Sequence, residues 1–133
     1  MLIFLDTNVV IYLIEQPPVW GPRASARIAV IRGGKDRMAV SDLVRLECRV
    51  KPLALGDALV LADFDAFFAS ADVQVHNLTT AVCDRATTIR ASYRYQLADA
   101  LNLATAVEAS CDVFLTNDNR LSGFPDITVE ILT

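Results

Sequence analysis

Short apolar runs that read as strands alternate with helical segments, usually in pairs, along the whole 133-residue chain. That rhythm predicts an α/β fold: a mainly parallel central sheet of about five strands with helices on both faces. The strands are expected at residues 2–5, 38–40, 73–75, 113–115 and 127–132. Thr7 or Asn8 opens a first helix carrying Val9, Val10, Leu13 and Ile14. Residues 15–22 (EQPPVWGP) read as a loop with a turn at Trp20-Gly21. Pro22 suits the first turn of a second helix, with Ala24, Ile28 and Ile31 at helical spacing. Ser41 caps a third helix, expected to run through Arg49 and to break at Lys51-Pro52. Asp57 leads a fourth, with Val60, Phe64, Phe67, Phe68 and Ala71 on one face. Thr79 or Thr80 caps a fifth, with Val82, Ala86, Ile89 and Tyr93 inward. Residues 98–109 are apolar on most sides and form the expected central buried helix. The length suits one domain, residues 1–133.

Composition removes several classes of function. At 53% hydrophobic residues the chain can bury a sizeable core, which excludes intrinsic disorder. No apolar run approaches the ~18 residues of a membrane span, and no basic region precedes the opening strand as in a signal peptide. Cys48, Cys83 and Cys111 are odd in number and far apart, which fits neither a CxxC zinc site nor a disulfide scaffold and suggests the cytoplasm. His76 is the only histidine and is read as a strand-end residue, so any metal must be held by oxygen. A net charge of −4 disfavours a simple electrostatic nucleic-acid binder. Ten of the twelve cations are arginines, whose planar fork suits phosphate or carboxylate. The basic segment Arg23, Arg27, Arg32, Lys35, Arg37 reads as a solvated helix face.

In parallel sheets of this kind ligands bind outside the carboxyl ends of the strands, so the residues that close each strand carry the interest. Asp6 closes the first strand, and Asp118 lies three residues after the core of the fourth. Asp99 stands in the first turn of the buried helix, and Glu47 lies six residues after Ser41. Singly, Asp6 reads as a helix cap, Asp99 as a first-turn acid and Asp118 as an Asx-turn residue. Glu47, with Leu43, Leu46 and Val50 around it, is expected inside an apolar stripe. An unpaired carboxylate there costs several kcal/mol. Jointly the four can converge at one end of the sheet, where they repel unless cations intervene. Hard oxygen donors without a histidine cluster point to Mg²⁺ or Mn²⁺ and to phosphoryl chemistry. The metals would then supply the positive charge that the protein lacks. In the metal-free protein, repulsion is expected to raise all four carboxyl pKa values.

The segments Met1-Leu2-Ile3-Phe4-Leu5-Asp6-Thr7-Asn8-Val9-Val10-Ile11, Ser41 followed by Glu47, Asp99-Ala100-Leu101-Asn102-Leu103-Ala104-Thr105-Ala106, and Leu115-Thr116-Asn117-Asp118 occur in that order. This set resembles PIN domains, and among them the VapC toxins of VapBC toxin–antitoxin modules, over essentially the whole chain. The resemblance implies a PIN-like three-layer α/β/α fold and a metal-dependent ribonuclease. Such an enzyme cuts single-stranded or loop RNA and leaves a 5′-phosphate and a 3′-hydroxyl. Carried over by position, Asp6, Glu47, Asp99 and Asp118 form the catalytic Mg²⁺ or Mn²⁺ site, with Asn8, Ser41 and Thr116 in support. The expected partners are RNA, a VapB-like antitoxin whose C-terminal segment lies across the cleft, and a second copy of the chain, with no membrane. Asn102 stands where related sequences often carry histidine, and Leu121 where an aromatic is common. Neither is expected to touch the quartet; both bear on substrate choice. A dehalogenase-type phosphatase would need a second acid where Asn8 stands, and a receiver domain would need a lysine beyond Lys51. The alternative is a catalytically silent PIN-fold scaffold, whose mark would be a lost acid.

Overall fold

The computed structural model describes residues 1–133. Its strands are β1 (Leu2–Leu5), β2 (Arg37–Ser41), β3 (Val73–His76), β4 (Val113–Thr116) and β5 (Thr128–Ile131). They form one five-stranded sheet in the order β3-β2-β1-β4-β5, and every pairing is parallel. The connections are α1 (Thr7–Glu15) with α2 (Trp20–Gly33), α3 (Asp42–Leu55) with α4 (Ala58–Phe68), and α5 (Thr80–Tyr93) with α6 (Leu97–Glu108). A short 3₁₀ turn, Asn119–Leu121, separates β4 from β5. Right-handed crossovers require that the connections stepping from β1 to β3 lie on one face. The return from β3 to β4 then covers the other. α1 packs on α2, α3 and α4, α5 packs on α6, and α3 reaches both α1 and α6. The α/β/α layering of a PIN-like fold results.

Strands covered on both faces must be apolar throughout, not alternating. Ile3, Phe4 and Leu5 of β1, Met38, Ala39 and Val40 of β2, and Phe114 and Leu115 of β4 are fully buried. Phe4 and Phe114 stack across the β1–β4 pair with centroids 5.2 Å apart. Leu5 is in register with Leu115, and the amide of Asp6 donates to the Leu115 carbonyl at 2.9 Å. The two central strands therefore end side by side. No helix is long and apolar enough to cross a membrane.

Three expectations are corrected. The loop predicted over 15–22 shrinks to residues 16–19, and Trp20-Gly21 belongs to α2 instead of a turn. Gln16, at φ 53°, ends α1, and Val19, at φ 72°, closes a tight turn in which Trp20 N–H donates to the Pro18 carbonyl at 2.9 Å. Pro52 does not break α3, which runs on to Leu55. Val44, Cys48 and Pro52, four residues apart, are its buried positions. Proline thus continues the packed face, and burial outweighs the lost amide bond and ring clash of about 3 kcal/mol. Gly56, at φ 66°, caps the helix end. Finally, Ala71 and Tyr93 are exposed, not inward. Ala71 lies beyond the end of α4, and Tyr93 stacks on Tyr95 at 5.5 Å.

The α1–α2 corner leaves no room for a side chain at Gly21, where a Cβ would lie 2.6 Å from Gln16 Cα. Gly21→Ala is expected to lower stability by about 1–3 kcal/mol, the usual cost of forcing an extra carbon into a packed site. Gly33→Ala, with open space around the added carbon, should leave it unchanged or slightly raised. Urea midpoints of the two variants check the contrast.

Candidate active site

Sheet order reverses at β1, whose neighbours β2 and β4 lead away in opposite directions, and the crevice outside the carboxyl ends of β1 and β4 is the expected ligand position. Asp6 stands there as the N-cap of α1. One carboxylate oxygen accepts from the Thr7 amide at 2.9 Å and from Asn102 Nδ2 at 3.4 Å. The other accepts from Thr116 Oγ1, at the end of β4, at 2.7 Å. Asn102 is itself held by Ser41, at the end of β2, whose Oγ donates to Asn102 Oδ1 at 2.6 Å and accepts from the Val44 amide at 3.0 Å. Ser41, Asn102 and Thr116 are buried polar residues, and every buried side-chain polar atom has a partner. Thr116 Oγ1 also accepts the Asp118 amide at 3.1 Å. One hydroxyl thereby links Asp6 to the loop that carries Asp118.

Asp99 occupies the first turn of α6, with its side chain 17% exposed. Burial raises its pKa most, and the charges of Asp6, Asp118 and Glu47 raise it further against the opposing effect of Arg120. Burial likewise raises the pKa of Asp6, offset by its bonds to Thr116, Thr7 and Asn102, with the charge of Glu47 adding to the rise. Asp99 thus lies in the electrostatic field of the other three acids. Asp118 departs from the expectation of a raised value. The hydrogen-bonded guanidinium of Arg120 holds its carboxyl below the ordinary range.

Glu47 corrects the sequence argument that singled it out. Leu46 and Val50 are 57% and 56% exposed, so no closed apolar stripe surrounds it. The buried face of α3 is the one defined by Val44, Cys48 and Pro52. Glu47 is half-buried beside it, where Thr7 Oγ1 donates to its Oε1 at 2.8 Å. Asn8 is exposed and donates to Asn117 Oδ1 at 3.3 Å, so it braces the neighbour of Asp118 and bonds to no acid. Asn102 overturns the expectation that it stays clear of the quartet, since it bonds to Asp6. Its spacing of three from Asp99, one helical turn on α6, was the available signal. Thr7 and Arg120 are also parts of the site that sequence reasoning passed over. His76, as expected, closes β3, and its ring bonds to Gln74 at 3.0 Å.

As they stand, no three acidic, histidine or cysteine side chains group closely enough to share a metal ion. The donor chemistry nevertheless fits a hard cation. Carboxylate and hydroxyl oxygens surround the crevice, and burial together with the charge of neighbouring acids disfavours ionisation of Asp6 and Asp99, which a bound cation would relieve.

The family model for the PIN domain matches residues 3–127, and the chain belongs to that family. Among solved structures, the fold is similar to a chain of VapBC2 from Rickettsia felis, solved with a DNA fragment from their promoter. The two share 15% identity and a TM-score of 0.78, with 100% of each chain covered. DNA-bound VapBC from Salmonella typhimurium gives 22% identity and a TM-score of 0.78, again with 100% of each chain covered. VapC20 of Mycobacterium tuberculosis, a toxin that cleaves the sarcin-ricin loop, gives 17% identity and a TM-score of 0.74 over 94% of this chain and 98% of that one. No curated protein sequence matches.

A raised carboxyl pKa means that the folded chain binds more protons there than the unfolded one, so charge on Asp99 opposes folding at neutral pH. Asp99→Asn should therefore raise the melting temperature in EDTA at pH 7, by a gain on the order of 1 kcal/mol. The gain should fade as pH falls through the folded pKa toward the unfolded value. Asp118→Asn should do the opposite at pH 7, because its lowered pKa stabilises the fold above the unfolded value. Thermal melts of both variants from pH 7 to pH 4 check the pair of signs.

Proposed function

We propose that this chain is a Mg²⁺- or Mn²⁺-dependent endoribonuclease and the toxin of a toxin–antitoxin pair. The observation that carries the proposal is the Asp99 carboxyl, which lies at the switch-point crevice in the field of Asp6, Asp118 and Glu47. A crevice of this composition has little use without a cation, and PIN-family membership gives the chemistry its class. Asp6, Asp99 and Asp118, with Glu47 at the edge, would hold the metal. When bound, such an ion makes water a usable nucleophile near neutral pH and steadies charge on the leaving oxygen of a phosphodiester. Thr116 and Asn102 keep Asp6 oriented and favour its charged form. Thr7 fixes Glu47, and Ser41 fixes the orientation of Asn102. Residues 1–133 act as one domain in a reducing cytoplasm, in keeping with three unpaired cysteines.

A protein partner would restrain the enzyme, and the outer face of α3 suits one. Leu46, Val50 and Leu53 recur at helical spacing, at 57%, 56% and 64% exposure. Apolar area of that kind in solvent marks an interaction surface. The solved relatives are toxin–antitoxin complexes, VapBC2 and VapBC. A VapB-like antitoxin is the proposed occupant, with the toxin itself a homodimer.

Purified protein should cleave single-stranded or loop RNA with Mg²⁺ or Mn²⁺ and stop in EDTA. Asp6→Asn or Asp99→Asn should each lower the rate by at least about 10²-fold. Cleavage that persists in EDTA or in both variants would contradict the nuclease. RNA binding without cleavage at saturating Mn²⁺ would favour the silent scaffold. In a separate measurement, Leu46→Glu with Val50→Glu should abolish co-purification with the small protein encoded by the adjacent reading frame, while the melting temperature stays near wild type.

A further inference from the structure

Arg120 sits on the acidic crevice, yet nothing in the reaction described above uses it. It follows Asp118 by two residues, in the 3₁₀ turn after β4. Its Nε donates to Asp118 Oδ1 and Oδ2 at 3.0 and 3.1 Å, and its Nη2 donates to Oδ2 at 2.5 Å. Its backbone amide adds a bond to Oδ1 at 3.0 Å. Both oxygens of Asp118 are thus occupied by one residue. The same Nη2 lies 3.6 Å from Asp99 Oδ2. The guanidinium therefore bridges two of the four acids from the solvent side, 63% exposed against 17% for Asp99 and 24% for Asp118.

Two features of this geometry matter. The lone pairs that Asp118 gives to Arg120 are those a divalent cation would need, and a guanidinium beside that cation would be repelled by it. The two cations are therefore alternatives at Asp118. Arg120 is also tethered, so when it leaves the carboxylates it stays within a side chain's length of the crevice. There its planar fork has lost its anions, and a phosphodiester offers the matching pair of oxygens.

We propose that Arg120 is an exchangeable counter-cation, which holds Asp118 and Asp99 in the metal-free chain, gives way when a divalent ion takes their oxygens, and then positions the substrate phosphate. The proposal rests on the nuclease assignment for the nature of that phosphate. It makes Arg120 a positioning residue whose loss has opposite effects on the two ligands. Metal should bind more tightly once its competitor is gone, and RNA should bind less tightly.

The test is calorimetric titration of MnCl₂ into the metal-free chain, without RNA, for wild type, Arg120→Gln and Arg120→Lys. Arg120→Gln should bind Mn²⁺ roughly two- to fivefold more tightly, the scale of an exposed ion pair. Its melting temperature in EDTA should fall, because Asp118 and Asp99 then face each other without a cation between them. In cleavage assays at saturating Mn²⁺ the KM for RNA should rise several-fold, with a smaller change in kcat. Arg120→Lys keeps the charge without the fork, so its Mn²⁺ affinity should stay near wild type while KM still rises. Unchanged or weaker Mn²⁺ binding by folded Arg120→Gln would overturn the exchange, as would an unchanged KM. If Arg120→Gln does not fold, Arg120→Lys decides through KM alone. Failure of the nuclease assignment has a different signature, wild-type protein that takes up no Mn²⁺ at all.

Discussion

A carboxylate at the end of the central strand, in a crevice that burial has partly dried, can stay charged only if donors are brought to it. Asp6 is supplied by the Thr7 amide, the Thr116 hydroxyl and the Asn102 amide, from α1, β4 and α6 respectively. Each donor depends on a different piece of the fold. Thr116 reaches because Leu5 and Leu115 are in register, so β1 and β4 end level. Asn102 reaches because α6 lies across the sheet and Ser41, at the end of β2, fixes its amide. The parallel sheet, the reversal of strand order at β1 and the placement of α6 converge on this one group.

The acids that result are poorly compensated. Asp6 and Asp99 are held above the usual carboxylate range, and only Asp118 is held below it, by Arg120. A fold selected for stability alone would not place Asp99, partly buried, in the field of three other carboxylates, because their charges oppose its ionisation. The chain bears this cost at a single place while its other buried polar groups are satisfied. On the proposed function, the same acids would let a chain of net charge −4 serve a polyanionic substrate. Positive charge facing the phosphate would then be imported as metal and supplemented by the proposed role of the arginine that already stands at the crevice.

Much of this was legible in the residues. The alternation of short apolar runs with paired helices gave the parallel sheet, because strands covered on both faces leave no other pattern. Asp6, Asp99 and Asp118 could be placed at the carboxyl end because each adjoins a strand end or a helix start. Other features depend on packing that one-dimensional spacing does not contain. Pro52 reads as a break, yet its spacing from Val44 and Cys48 puts it on the buried face. Glu47 was singled out for a sound chemical reason on a wrong geometric premise, since α3 has two apolar faces and only one of them is buried. Asn102 was assigned to substrate choice and Arg120 was passed over, because their contacts to the acids require β4, α6 and the turn at Asn119–Leu121 to meet in space.

The central claim is that these carboxylates form one divalent-cation site at the β1–β4 crevice. Anomalous diffraction from crystals soaked in MnCl₂ tests it most directly, because it locates the ion without reference to activity. The account predicts a manganese peak bounded by Asp6, Asp99 and Asp118, with the Arg120 guanidinium displaced from Asp118. A crevice without manganese at saturating concentration, with Arg120 still on Asp118, would contradict it.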